Sequence, residues 1–531
     1  MIRPTLAARL WWAIRSHWHV LAGVLPGVVL ALLSSASLVV PQAEIIDALD
    51  TDRYRIHWIS GSFILGSALG MALTRFVASR LGLRRAYLLS IVLFAIAGSA
   101  CGLVDDIVLM TPLRFLQGLG NGVLICAAML IIWRAFPRQR EFAMALYGMA
   151  IFVPMAAGAV LGGLLTTWQS WQLIFLMNLP LGCAVLVIGW ALLPVENYLR
   201  HEKPVKLDFV GVGLLTASIV SLNVMLDMGQ YWGWFTSRPF SLWFVGFVAA
   251  FGSFVAWGLL ARHPLINLRV FGRRNTTLAL VVKTLFSINL TALLALLATY
   301  MVGMRGYQWW QAALVFLPAV LCMPLTIVLG VLFGKVHNTR LRMFAGLAVM
   351  SLATWQFMLL DMYTSKFWMA AIMGVWGLGA GLVIGPALLM IFKDLPLEDA
   401  VTLAGVFNIC RALPAYIVTI TLVTLWTQNT DIQFDNLRQT VRYNVPIVEA
   451  SYTSARQHFV ARGSAHDESA KQAQALMGQW TQVNSRAFAL EDVLRDLAIV
   501  TALALAAVVA MGRLGSMRQS KRAANATLTA G

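Results

Sequence analysis

An arginine, a glutamine and an asparagine lie close together in an otherwise apolar stretch of the sequence, TPLRFLQGLGNG at residues 111–122. Arg114, Gln117 and Asn121 are spaced i, i+3 and i+7, so an α-helix places them on one face. A charge at the centre of a membrane costs about 2.5–3.5 kcal/mol, and such a polar stripe therefore predicts a water-accessible cavity. In the alternative, Arg114 lies roughly 10 Å from the helix end and extends its guanidinium to the lipid headgroups.

Two further basic residues lie deep within apolar segments. Lys283 lies about seven residues into one segment, and Arg411 lies about eleven residues, or roughly 17 Å, into another, with Asn408 on the same helix face. None of the 23 acidic residues lies in the middle of such a segment. If the three cations face one cavity, they predict binding of an anion or an acidic amphiphile, although Lys283 could instead reach the membrane surface or pair with a carbonyl. The expected apolar and aromatic wall of this cavity comprises Met149, Phe152, Trp355 and Gln356.

The composition is that of an integral membrane protein. Of 531 residues, 59% are hydrophobic and 12% are charged, which is far from the average soluble domain. The formal net charge of +17 arises from short Lys and Arg clusters between apolar segments, a pattern that favours the membrane surface over nucleic acid as the partner. The five cysteines lack CxxC spacing and histidine neighbours, so we expect no metal site, cofactor or disulfide framework.

The apolar segments predict an all-α protein with fourteen transmembrane helices. A spanning helix needs roughly 20 mostly apolar residues. Loops on one side of the membrane, together with both termini, hold 24 Lys or Arg residues, whereas the short loops on the other side hold five. The positive-inside rule therefore predicts that both termini are cytoplasmic. The predicted spans are 20–41, 57–79, 86–104, 107–133, 142–166, 173–193, 208–228, 240–260, 276–302, 310–333, 342–362, 367–392, 400–426 and 493–513.

An internal repeat organises these spans. The glycines of the fourth span align with those of the twelfth at a shift of 259 residues, whereas Arg114 aligns with Met373. Two six-helix bundles related by duplication predict a secondary transporter with its site near the midplane. Close helix packing alone also accounts for the glycines. The repeated pairs are Gly118 and Gly377, Gly120 and Gly379, and Gly122 and Gly381.

The repeat divides the chain into five parts. Residues 1–19 form an amphipathic cytoplasmic segment, 20–193 the N-terminal bundle, 194–275 two inserted helices, 276–513 the C-terminal bundle and 514–531 a cytoplasmic tail. One connection, at residues 427–492, is long and polar. Its sequence predicts helices, and it is large enough to bind another protein. A solvated loop without a partner is the alternative.

Several motifs resemble those of the major facilitator superfamily, and within it the fourteen-span drug:proton antiporters typified by the inner-membrane pump of Emr-type tripartite efflux systems. LRFLQGLGNG is similar to the fourth-span pattern of that branch, with Arg114, Gln117 and Gly118 at its diagnostic places. LDMGQYWGWF at 226–235 and FNICRALP at 407–414 also resemble the Emr-type branch. Two further stretches resemble conformational motifs of the family. The turn SRLGLRR contains Gly82, Arg84 and Arg85, and the stretch GAVLGG contains Gly158, Gly162 and Gly163.

The resemblance implies efflux of toxic hydrophobic or amphiphilic compounds across a bacterial inner membrane by alternating access, coupled to protons. It also implies a periplasmic adaptor protein and an outer-membrane channel as partners. Leu32 stands where that branch tends to carry an aspartate, nine residues before a proline. The alternative function is import or export of one specific organic anion unrelated to drug resistance. An enzyme is not expected, because paired carboxylates, histidine clusters and nucleophile–base pairs are missing from the apolar segments.

Overall fold

The protein is a bundle of α-helices in a computed structural model, and the secondary structure within the described residues is helical. The structure describes residues 6–38, 42–51, 56–137, 142–144, 146–151, 154, 158, 161–162, 165, 170–194, 206–261, 264–272, 274–332, 339–360, 364–392, 397–442 and 446–511.

The helices of the N-terminal half lead from the amino terminus to a pair of inserted helices. A non-helical backbone at His17 divides the first helix, so the predicted amphipathic segment and the first span form one kinked helix. The bounds are α1 Leu6–Ser37, α2 Gln42–Ala48, α3 Ile56–Leu81, α4 Leu83–Cys101, α5 Ile107–Ala135, α6 Phe142–Ile151, α7 Gln172–Leu176 and α8 Asn178–Leu192, followed by the inserted α9 Phe209–Trp232 and α10 Arg238–Leu260.

The C-terminal half contains longer helices. Its first helix continues into a short π-helix at Tyr300–Met304. The bounds are α11 Arg274–Thr299, α12 Trp309–Leu332, α13 Thr339–Met358, α14 Lys366–Phe392, α15 Leu397–Arg442, α16 Pro446–Ala461 and α17 His466–Ala510.

Twelve helices in the described part of the chain are long and apolar enough to cross a membrane. The predicted spans 142–166 and 342–362 are not among these twelve. The first is described mainly through α6, a shorter apolar helix. The second corresponds to α13, a 20-residue helix that carries Arg340 and Arg342 near its start. The total of fourteen spans therefore stays a prediction, while the all-helical membrane architecture is confirmed.

The glycine repeat produces equivalent packing in the two halves. Gly118 of α5 lies against the backbone of Phe63 in α3, and Gly377 of α14 lies against the backbone of Ala319 in α12. In both halves a glycine lets two backbones approach where a side chain would not fit. The same correspondence holds for Gly120 against α4 and Gly379 against α13, and for Gly122 against α3 and Gly381 against α12.

On one side of the molecule, arginine guanidinium groups cap the C-terminal ends of helices by donating hydrogen bonds to carbonyl groups. Arg84, at the start of α4, donates to the carbonyl of Trp190 near the end of α8 at 2.6 Å. Arg340, at the start of α13, donates to the carbonyl of Val509 near the end of α17 at 2.9 Å. These cations satisfy carbonyl groups that lack helical partners. We call this side the Arg84 side and the opposite side, where α5 begins, the Asp106 side.

Residues 427–492 extend the helices on the Asp106 side, in agreement with the helices expected there. α15 has 46 residues and α17 has 45, so each is nearly 70 Å long at about 1.5 Å per residue, roughly twice the thickness of the hydrocarbon core. At the base of the pair, Trp426 Nε1 donates to the carbonyl of Arg486 at 3.0 Å. We call residues 427–442, α16 and residues 466–492 the helical extension.

Substitution of the repeated glycines tests the shared packing. In Gly118→Ala and Gly377→Ala, the new Cβ overlaps the backbone of the neighbouring helix, and each change should destabilise the protein by about 1–3 kcal/mol. The midpoint of thermal unfolding in detergent should fall for both variants. Gly213→Ala in α9 is the matched control, because its Cβ meets no atom within 4 Å and alanine favours a helix. Equal midpoints for all three variants would contradict the packing described here.

Candidate functional site

A cavity lies between the two halves of the chain. α6 lines it from the N-terminal half, and α11, α14 and α15 line it from the C-terminal half. Among the described residues that line it, two side chains are cationic and none is acidic, so this part of the lining carries net positive charge. The polar lining residues are Tyr147, Lys283, Ser287, Thr291 and Arg411.

Lys283 enters the cavity from α11. Its side chain is 4% exposed, and its Nζ donates to Ser287 Oγ at 3.1 Å. The ammonium also lies 4.6 Å from the ring centroid of Phe286 and 5.7 Å from that of Phe407, where the aromatic faces stabilise a cation. An ammonium has three donor hydrogens, so this arrangement leaves donor capacity for an acceptor in the cavity.

Arg411 enters the same cavity from α15. Its Nε is enclosed and has no hydrogen-bond partner among the described residues. A buried donor without a partner is costly, and a planar guanidinium matches the two oxygens of a carboxylate or sulfonate. An anion bound in the cavity would therefore complete the hydrogen bonding of Arg411.

The cavity is narrow in this conformation. Its free volume is about 30 Å³, enough for a few water molecules. Pockets for drug-sized ligands have volumes of roughly 300–1,000 Å³. A compound of that size would enter only if the two halves moved apart.

Arg114 lies elsewhere, inside the N-terminal half. It is 2% exposed, so its guanidinium does not reach the surface, and it is not one of the residues that line the cavity. Its Nε donates to the carbonyl of Ile59 at 3.2 Å, and a terminal nitrogen donates to Gln117 Oε1 at 2.6 Å. The rings of Phe63 and Phe175 lie 4.5 and 5.4 Å from the guanidinium carbon. The charge is thus solvated by α3, α5 and α7.

The two predicted asparagines also lie in helix interfaces. Asn121 donates to Ser67 Oγ at 2.9 Å and joins α5 to α3. Asn408 donates to the carbonyl of Ala404 at 3.0 Å and lies against the sulfurs of α5, with Met129 Sδ at 3.7 Å. The structure therefore brings Lys283 and Arg411 together, and it places the other predicted polar residues in the packing around them.

Met149, Trp355 and Gln356 are not among the described residues that line the cavity. Met149 is half-buried between two lining positions of α6, Gly148 and Ile151. Trp355 is 58% exposed on the surface of α13, and Gln356 is half-buried. Phe152 lies outside the described residues.

The predicted conformational motifs occupy turns and close contacts. Gly82 has a φ of +80° between α3 and α4, a conformation that favours glycine, and Arg85 beside it is exposed. Gly158 and Gly162 lie against α1, and Gly163 lies outside the described residues.

Several cavity residues escaped the sequence analysis. Ser287 and Thr291 follow the predicted Lys283 at i+4 and i+8 and form a polar stripe with it on α11, a spacing as visible in the sequence as that of Arg114, Gln117 and Asn121. Tyr147 and Phe407 carry no such signal, because tyrosine and phenylalanine are common inside any helical bundle.

Comparisons with known proteins agree with the membrane architecture. A family model described as Major Facilitator Superfamily matches residues 24–419. Multidrug export protein EmrB of Escherichia coli is 27% identical over 403 residues, covering 75% of this chain and 77% of that protein. Fatty acid resistance protein FarB of Neisseria gonorrhoeae is 28% identical over 286 residues, covering 53% and 55%. A crystal structure of the human organic anion transporter MFSD10 superposes with a TM-score of 0.53 at 15% identity, covering 77% of this chain and 94% of that chain.

The family model spans most of the chain, including α5 with its glycine pattern and the helices that line the cavity. The solved structure shares the fold. This chain belongs to the major facilitator superfamily.

Proposed function

We propose that the protein exports toxic hydrophobic or amphiphilic compounds across the bacterial inner membrane, with acidic amphiphiles as preferred substrates and protons as the coupling ion. The observation that carries this proposal is the cavity between the halves, where Lys283 and Arg411 lie without an acidic side chain among the described lining residues. Two relatives are named for multidrug export and for fatty acid resistance, and a fatty acid is an acidic amphiphile.

The position and size of the cavity support alternating access. The anionic group binds Arg411 and Lys283, and the apolar body of the substrate lies against Ile384, Leu388 and Phe407. Because the cavity lies between the halves and is narrow, rocking of one half against the other admits the substrate from one side and releases it on the other. Arg114 and Gln117 act as positioning residues that hold α5 against α3 during this motion.

The direction of transport depends on the orientation in the membrane. In our proposal the Arg84 side, with both termini, is cytoplasmic, because the basic loops lie there. The membrane potential then favours outward movement of an anion by about 2.3 kcal/mol per 100 mV. The helical extension lies in the periplasm, where it binds an adaptor protein that connects the transporter to an outer-membrane channel.

Removal of the cavity charges tests substrate class. In proteoliposomes, radiolabelled taurocholate should exchange across the membrane, because it is a permanently anionic amphiphile. Lys283→Met and Arg411→Met should each lower its exchange rate about tenfold or more, since losing roughly 1.4 kcal/mol of attraction changes affinity tenfold. Transport of cationic tetraphenylphosphonium should not fall with these changes.

Arg495→Met is the matched control, because Arg495 is an exposed arginine paired with Asp492 outside the cavity. It should exchange taurocholate at the parental rate. Parental rates in correctly inserted Lys283→Met and Arg411→Met would overturn the cavity assignment. Transport of a single compound from a panel of acidic amphiphiles would favour the specific organic anion transporter over a multidrug exporter.

Shortening the helical extension tests the proposed partner. Replacing residues 443–465, which include α16, with a short Gly-Ser linker keeps the contact between Trp426 and Arg486 at the base of the extension. Cells carrying this variant should lose resistance to toxic acidic amphiphiles, whereas taurocholate exchange by the purified protein should persist. Loss of both activities would assign the extension to folding, and retention of both would exclude it as the adaptor surface.

A further inference from the structure

Among the acidic side chains that the structure describes, Asp227 alone is buried, with an exposure of 5%. It lies within the apolar stretch Phe209–Gly229 of the inserted helix α9. Its carboxylate accepts from Asn223 Nδ2 at 2.9 Å and from the Tyr416 hydroxyl at 3.1 Å. Both donors are neutral. A buried carboxylate held only by neutral donors is costly in its charged form and gains from binding a proton.

The distances in this cluster allow the Asp227 carboxyl group to form hydrogen bonds both when it is ionised and when it is protonated. The Tyr416 hydroxyl lies 3.1 Å from Asp227 Oδ1 and 3.2 Å from Asn223 Oδ1, but it has one hydrogen to donate. When Asp227 is ionised, Tyr416 donates to the carboxylate. When Asp227 takes up a proton, the new O–H can donate to the Tyr416 oxygen, and the Tyr416 hydrogen turns to Asn223 Oδ1. Asp227 therefore gains one proton, and each of the three residues Asp227, Asn223 and Tyr416 keeps a hydrogen-bond partner.

The cluster connects three parts of the protein. Asn223 and Asp227 belong to the inserted helix, Tyr416 belongs to α15, and the Asn223 amide lies against Gly61 of α3. Tyr416 follows Arg411 on α15 by five residues, which is roughly 7.5 Å along the helix axis toward the Asp106 side. A change in the hydrogen bonding of Tyr416 therefore acts on the helix that places Arg411 in the cavity.

Other titratable groups lie on the same elements. α9 also carries Tyr231, α10 begins with Arg238, and α3 carries His57 one turn before Gly61. The described hydrogen-bond partners of the Asp227 carboxylate are Asn223 and Tyr416. The charged residues that precede α3, Asp52, Arg53 and Arg55, lie outside the described residues.

We propose that Asp227, with Tyr416 and Asn223, forms the proton-binding site that couples proton entry to substrate export. This inference rests on the proposed export function. The carboxylate takes a proton from water on the Asp106 side, and Tyr416 transmits the change to α15. The proton leaves on the Arg84 side after the halves have moved, which restores the carboxylate. The first span has Leu32 at the place where an acid is expected. The proposed coupling role therefore belongs to a different carboxylate.

The test separates coupling from transport. Proteoliposomes containing purified protein are given radiolabelled taurocholate under two conditions: equal pH on both sides, and a lumen more acidic than the medium. In the parent protein, the acidic lumen should raise taurocholate accumulation several-fold above the equal-pH level. Asp227→Asn should keep equal-pH exchange within about twofold of the parent but show no accumulation driven by the pH gradient. Tyr416→Phe should weaken gradient-driven accumulation with exchange preserved.

Two control variants decide between this site and its neighbours. Asp105→Asn removes an exposed carboxylate on the same side and should behave as the parent, and His57→Gln should also remain gradient-driven. Gradient-driven accumulation by Asp227→Asn, or its loss in His57→Gln alone, would overturn the proposal. Loss of equal-pH exchange in a correctly inserted Asp227→Asn would assign Asp227 a structural role and would also overturn it. A parent without taurocholate exchange would instead contradict the proposed function.

Discussion

The burial of charge inside a membrane protein is the constraint on which this structure depends. An ionised side chain in a low-dielectric interior needs partners or water. The protein meets this need in different ways at three cations. Arg114 is solvated by a carbonyl, an amide and aromatic faces in the N-terminal half. Lys283 and Arg411 instead line a cavity at the junction of the halves, where an anion can complete their hydrogen bonding. Arg114 is thus buried in helix packing, whereas Lys283 and Arg411 are the cations proposed to bind the substrate.

The repeated architecture places two kinds of helix contact within each half of the chain. Each half holds its helices together through glycines that bring backbones into contact and through arginines that close helix ends. These contacts lie within a half, so the proposed rocking of the halves would not break them. The cavity, the contact of α15 with α5 and the cluster around Asp227 lie between parts of the chain. The residues that line the cavity and the proposed proton site therefore lie where the proposed motion of the halves would alter their surroundings.

The sequence predicted the helical membrane fold and the internal repeat well, because apolar segment length and glycine spacing are local properties. It predicted the depth of Arg114, Lys283 and Arg411, but depth does not determine which neighbour a helix face meets. The stripe at Arg114 and Asn121 resembles a cavity lining in sequence, and in the structure it faces α3. Asp227 lies near the end of its apolar segment in the sequence, and its burial depends on tertiary contacts such as the hydrogen bond from Tyr416. The orientation of helix faces thus required the structure.

The difference between the wet cavity and the dry interior can be measured directly by thiol labelling. With the five native cysteines replaced, Lys283→Cys and Arg114→Cys are each treated with a negatively charged, membrane-impermeant thiosulfonate reagent, without taurocholate and with taurocholate at about 100 times the parent's Kd, which compensates for the roughly tenfold loss of affinity expected without the Lys283 charge. Lys283→Cys is expected to react and to be protected by taurocholate, whereas Arg114→Cys is expected to remain unlabelled. Rapid, taurocholate-sensitive labelling at position 114 together with no labelling at position 283 would contradict the assignment of the binding cavity.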